Sequence, residues 1–173
     1  MKKFNEVEFQ DLMMILNDHS ISIETRYTVF SYFVHRFESK EKVREIFSFI
    51  ESISSSDIDK KDIVNDVDDF KIAFLESYLS VVNISDNLDS VIKEFYELFH
   101  SFPEIFLQHQ DFSEELLEKY ISGSDWLFVL ETQYVSEDLF MKHEKDVCSV
   151  YKSYGEYFNT VKPNHSCLKM INR

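Results

Sequence analysis

Gln110-Asp-Phe-Ser-Glu-Glu-Leu-Leu-Glu-Lys119 returns 23 residues later as Gln133-Tyr-Val-Ser-Glu-Asp-Leu-Phe-Met-Lys142. Each copy sets a Ser before two acids, then an apolar pair, then a Lys. A Ser oxygen accepts from the free N–H groups of a helix start, acids suit its positive end, and Lys suits the negative end. Each copy therefore reads as a short helix with its own start and stop signals. A unit this short cannot bury its apolar side alone, so the copies must stack on one another or on neighbouring helices. The pair predicts an all-α architecture and names no reaction.

The flanking sequence extends that reading toward the N-terminus. Phe4, Val7, Leu12, Met13 and Leu16 mark a first helix ending near Asn17 and Asp18. Ser22 or Ile23 opens a second, with Phe30, Phe33, Val34 and Phe37 at the spacing of one helix face. Ser39 is placed to cap a third, where Val43, Ile46, Phe47 and Ile50 repeat that spacing. A fourth from about Asp59 turns Ile63, Val67, Phe70, Phe74 and Tyr78 to one side. Ser85 or Asn87 opens a fifth carrying Leu88, Val91, Ile92, Phe95 and Leu98. Pro103 suits the first turn of a short sixth, because its missing N–H costs nothing there. The remaining elements are expected near 113–121, 125–133, 136–143 and 146–158. The sum is one domain over 1–160 of about eight or nine helices, longer in 1–100 and shorter in 101–160. A tail over 161–173 carries Lys162, Lys169 and Arg173 without an acid.

Composition agrees with helices. The 173 residues include only two Gly and two Pro, too few for the turns of an all-β domain. Hydrophobic residues make up 44% and aromatics 16%, enough to fill a core. The net charge is −14, from 32 acids against 18 Lys and Arg. That balance opposes direct contact with nucleic acid or an anionic membrane, and a partner is expected to be a protein with a basic surface. No run approaches the ~20 apolar residues needed to span a bilayer, and the N-terminal residues lack the apolar core of a signal peptide. Cys148 and Cys167 form neither a CxxC pair nor a disulfide framework, which points to reduced thiols and a cytoplasmic setting.

Within the second copy, Trp126, Val129, Gln133, Val135, Ser136, Glu137, Leu139, Phe140 and His143 follow a recognisable order. It resembles a short helical repeat of proteins from large DNA phages and giant viruses: Trp, an aliphatic residue, Gln-x-Leu-Ser-Glu, two bulky apolar residues, and a closing aromatic or His. Val135 stands where that pattern has Leu, and the other copy matches only from Gln110 to Tyr120. The resemblance implies helix–turn–helix stacking and a viral origin, and it brings no catalytic residues. Gln110 and Gln133 are expected to bond across the turn between copies, and Trp126 to be an anchor in the core.

Spacing for chemistry is missing. His19, His35, His100, His109, His143 and His165 form no HxxxH, HExxH or HxxE arrangement, so no metal and no cofactor is expected. The acids Asp57, Asp59, Asp62, Asp66, Asp68 and Asp69 lack the Gly and the final Glu of a calcium loop. At helical spacing Asp59, Asp62, Asp66 and Asp69 share a face that is either solvated or a docking strip, with Asp57 at its start. Glu114, Glu115, Glu137 and Asp138 occupy equivalent first turns, where they serve the helix dipole and could also meet a partner. The resulting expectation is a non-enzymatic acidic binding protein that inhibits or redirects a host or viral protein. The alternative is a partial nucleic-acid mimic in a basic groove. B-DNA carries about one charge per 1.7 Å, and basic residues dilute the acids here, so the mimicry would be confined to one face.

Overall fold

Val43, Ile46, Phe47 and Ile50, read above as one helix face, are all buried along a helix over Val43–Ser52. That element belongs to a computed structural model that describes residues 6–34, 42–58, 67–147 and 154–160. Every regular element among those residues is helical, and none is a strand. The chain packs as two compact units, Met1–Ile105 and Phe106–Arg173.

The first unit contains α1 (Glu6–Leu16), α2 (Ile23–Val34), α3 (Val43–Ser52), α4 (Val67–Leu79), α5 (Leu88–Glu94) and α6 (Tyr96–Ser101). In α1 the buried stripe is Phe9, Leu12 and Leu16, while Met13 is half-buried; Phe4 lies outside the described residues. Ser22 caps α2, its Oγ accepting from the Thr25 N–H at 3.3 Å. Phe30 and Val34 are buried, Phe33 is half-buried, and Phe37 and Ser39 lie outside the described residues. The described part of α4 begins at Val67, later than the start expected near Asp59, because 59–66 are not described.

Aromatic rings fill the core of this unit. Phe74 of α4 meets Tyr27 at 5.3 Å, Phe30 at 5.0 Å and Phe49 at 5.1 Å between centroids. Such offset or edge-on pairs each add about 0.5–1.5 kcal/mol beyond their buried area. The fifth expected helix is two. Phe95 leaves helical geometry at φ −116°, ψ 46°, yet its N–H still donates to Val91 O and its carbonyl still accepts from Phe99 N–H. The chain thus bends rather than stops, and it packs the Phe95 ring 5.2 Å from Phe47.

The helices are already short at α5 and α6, 7 and 6 residues, so the shortening expected after Ser101 sets in earlier, where the fifth expected helix divides at Phe95. Pro103 opens α7 (Pro103–His109), followed by α8 (Glu114–Tyr120), α9 (Trp126–Thr132), α10 (Glu137–Lys142), α11 (Glu144–Val147) and α12 (Tyr154–Thr160). The single helix expected over 146–158 corresponds to α11 and α12, with 148–153 not described. Gly123 takes a left-handed φ of 55° just before α9, a conformation that costs a glycine little. The basic 161–173 tail lies outside the described residues.

Candidate functional site

The two sequence copies meet through hydrogen bonds in the second unit. Ser113 and Ser136 cap α8 and α10, each Oγ accepting a backbone N–H three residues on, from Leu116 and Leu139. Many helices complete such a cap with a Glu at the third helical position, which reaches back to the N–H of the cap residue. In α10 that position is Leu139. Glu114, from the preceding copy, takes the role instead: its Oε1 accepts from the Ser136 N–H at 2.6 Å. Lys142 at the end of α10 pairs with Glu118 of α8.

Gln133 clamps the turn between copies, as its position suggested. It is buried, and its amide is fully used: Oε1 accepts from the Phe112 N–H at 3.0 Å, while Nε2 donates to Leu107 O and Gln110 O. Those two carbonyls lie at the end of α7, where helical carbonyls run out of partners. The Gln133 carbonyl in turn accepts from the Tyr157 hydroxyl at 2.7 Å. Gln110 is buried as well. Trp126 is only 2% exposed and stacks on the His143 ring at 3.7 Å and 19°, between the start of α9 and the end of α10.

The acids therefore divide. Glu114 and Glu118 are engaged in joining the copies. Glu115, Glu137 and Asp138 are exposed, and among the described residues no ion pair engages them. Their charges add to an acidic stretch: residues 111–146 hold ten acids and three Lys, a net of −7. Exposed apolar side chains lie in the same unit, namely Phe128, Tyr134, Met141 and Phe158.

Asp57 corrects the expected acidic strip. Its side chain is 1% exposed and sits in the core of the first unit beside Arg26, 2% exposed, at 2.6 Å. Arg26 also donates to Leu16 O at 2.9 Å, and His19 approaches Asp57 Oδ1 at 2.7 Å. The Ser54 N–H and hydroxyl donate to Asp57 Oδ2. Burial alone would raise the Asp57 pKa, but bonds from Arg26, Ser54 and His19 outweigh it and hold the carboxyl at about 2. A lone charge is not buried unless paired, so Asp57 belongs to a structural ion pair that ties the 53–58 turn to α1 and α2. Sequence reading missed Arg26, which occupies a core position four residues before Phe30; a charged residue on an apolar stripe was the available signal.

Of the remaining strip, Asp59, Asp62 and Asp66 lie outside the described residues, and Asp69 is exposed in the first turn of α4. Asp68 lines an open recess of about 340 Å³ with Glu51, Lys71, Glu97, Leu98, Ser101 and Phe102. Partial burial, reinforced by Glu97 and Glu94, raises the Glu51 pKa, while Lys71 opposes the rise. Among the described residues no three His, Cys, Asp or Glu are placed to hold a metal ion, and no helix is long and apolar enough to cross a membrane. The chain matches no protein-family model, and no curated protein and no solved structure shows significant similarity to it.

Proposed function

We propose that this chain is a non-enzymatic acidic binding protein, encoded by a large DNA phage, that docks on a basic surface of a host or viral protein and inhibits or redirects it. The observation that carries the reading is the division of the acids in the second unit. Glu114 and Glu118 are occupied in joining the copies, whereas Glu115, Glu137 and Asp138 stand exposed with no ion pair among the described residues. Helix first turns need acids only modestly, since a carboxylate there adds about 0.3–1 kcal/mol. Three more on the same unit give a local negative field that draws a basic partner. The order from Trp126 to His143 supports the phage origin by its resemblance to a viral helical repeat, and an infected cell's cytoplasm is the setting that follows.

The experiment is capture from a bacterial lysate with the full chain and with a Glu137→Lys/Asp138→Lys variant, at low and high salt. The expected result is a partner retained by the native chain at low salt and lost by the folded variant. A partner retained equally by both would remove this face. Failure to retain any partner at low salt would remove the reading.

A further inference from the structure

Acids along a helical surface usually face solvent and do no more than that, so their setting decides their meaning. In the first unit three of them share one concavity. The open recess of about 340 Å³ is lined by Glu51 from the last turn of α3, Asp68 and Lys71 from α4, and Glu97 from α6. Leu98 and Phe102, both buried, supply an apolar wall. Three carboxylates and one ammonium leave the recess a net charge of −2. Among the described residues none of these four groups makes a hydrogen bond or a close ion pair. Glu94, by contrast, is held by Arg44. Partial burial pushes the Glu51 carboxyl up, Lys71 opposes the rise, and Glu97 and Glu94 add to it. Like charges are therefore gathered here with too few counter-charges to relieve them. The same acids do not suit an inorganic ion, since among the described residues no three His, Cys, Asp or Glu are placed to hold a metal.

We propose that this recess binds a free aliphatic polyamine, a chain of methylenes carrying two or more ammonium groups. Carboxylates too dispersed to share one metal ion can each meet a separate ammonium, while the methylenes between them lie against Leu98 and Phe102. The volume falls within the roughly 300–1,000 Å³ of small-molecule sites. Other occupants fit less well. A lysine side chain from a protein partner brings one ammonium to three carboxylates, and an anion would meet Lys71 against three charges of its own sign. The site uses none of the second unit's acids, so it stands apart from the reading of a basic protein partner.

Calorimetric titration of the full chain with spermidine and with n-butylamine, at low salt, tests the proposal. Spermidine should bind at one site and about tenfold more tightly than n-butylamine, because each further exposed ion pair adds a modest increment. Glu51→Gln/Glu97→Gln should weaken spermidine by about the same factor, having removed two of those pairs. Glu76→Gln/Glu131→Gln, which removes two exposed acids from outside the recess, should leave it nearly unchanged. Lys71→Gln should tighten spermidine, a gain that a misfolded chain cannot imitate. Equal weakening by the two Gln pairs would mark diffuse attraction by the net charge and overturn the proposal. So would magnesium that displaces spermidine at equal concentration, a Lys71→Gln chain that binds no more tightly, or no binding of either amine. An acetylated trilysine peptide that binds more tightly than spermidine, and loses that affinity in Glu51→Gln/Glu97→Gln, would give the recess to a protein partner and overturn the free ligand.

Discussion

At the scale of single residues, Asp57 is the side chain whose role changes most between sequence and structure. Its carboxyl is held at about 2, below an ordinary value of 3.8. A depressed carboxyl pKa contributes stability that is complete above the unfolded value and lost as pH falls through the folded one. The shift corresponds to about 2 kcal/mol, lost between roughly pH 4 and pH 2. Urea unfolding across that range should show the loss in the native chain and not in Asp57→Asn. At neutral pH that variant should be about 3–5 kcal/mol less stable, because Arg26 is left charged in the core. A neutral-pH cost under ~1 kcal/mol would mean that the pair is hydrated. Trp126 has a comparable structural weight. Its burial and its stack on His143 lead us to expect that Trp126→Ala costs about 3–5 kcal/mol, read by circular dichroism since the fluorophore is removed.

At the scale of elements, the helices of the second unit are too short to be stable alone, and their ends are completed by residues from elsewhere. Gln133 satisfies the Leu107 carbonyl of α7, the Gln110 carbonyl just past it and the Phe112 N–H of the following turn. Gln133→Glu would set a carboxylate against Leu107 O and Gln110 O without a donor. It should therefore destabilise more than Gln133→Ala, which leaves the same groups unsatisfied at about 1–3 kcal/mol each but adds no repulsion. Chemical denaturation of the two variants gives the order, and a Glu variant as stable as the Ala variant would contradict the clamp. Glu114 offers a milder test. Glu114→Gln keeps an acceptor for the Ser136 N–H, whereas Glu114→Ala should lose about 0.5–2 kcal/mol, the usual worth of a cap. Equal stability of the two would show that the bond from the neighbouring copy adds nothing.

For the molecule as a whole, the excess of acids governs encounter more than folding. If Glu137 and Asp138 lead a basic partner in, reversing them to Lys should slow association several-fold and leave dissociation less affected. The same rate should fall as salt rises toward physiological strength, where screening acts over about 8 Å. Stopped-flow or surface-based kinetics distinguish this from a structural loss, since the folded variant should keep its unfolding midpoint. A steep fall of affinity with salt would instead favour the nucleic-acid mimic, whose binding rests on screened charges.

How much was legible in advance follows the range of each signal along the chain. Val43, Ile46, Phe47 and Ile50 revealed α3, and Ser113 and Ser136 revealed the starts of α8 and α10, because periodicity and caps are written within a few neighbouring residues. Gln133 was legible as a joint because the chain nearly repeats itself, and Trp126 as a core anchor because large aromatics usually bury. The sequence by itself thus determined the helical class, most helix starts and the place where two copies meet. Only tertiary structure decided that Asp57 is buried with Arg26, 31 residues away, and that Glu114 completes the cap of the next helix. It also decided that the chain bends at Phe95, and that Tyr134 meets Phe158 across 24 residues of sequence. These depend on which distant side chains close the same space, and the worth of a charge or a ring is set there, by burial and by the partner it finds.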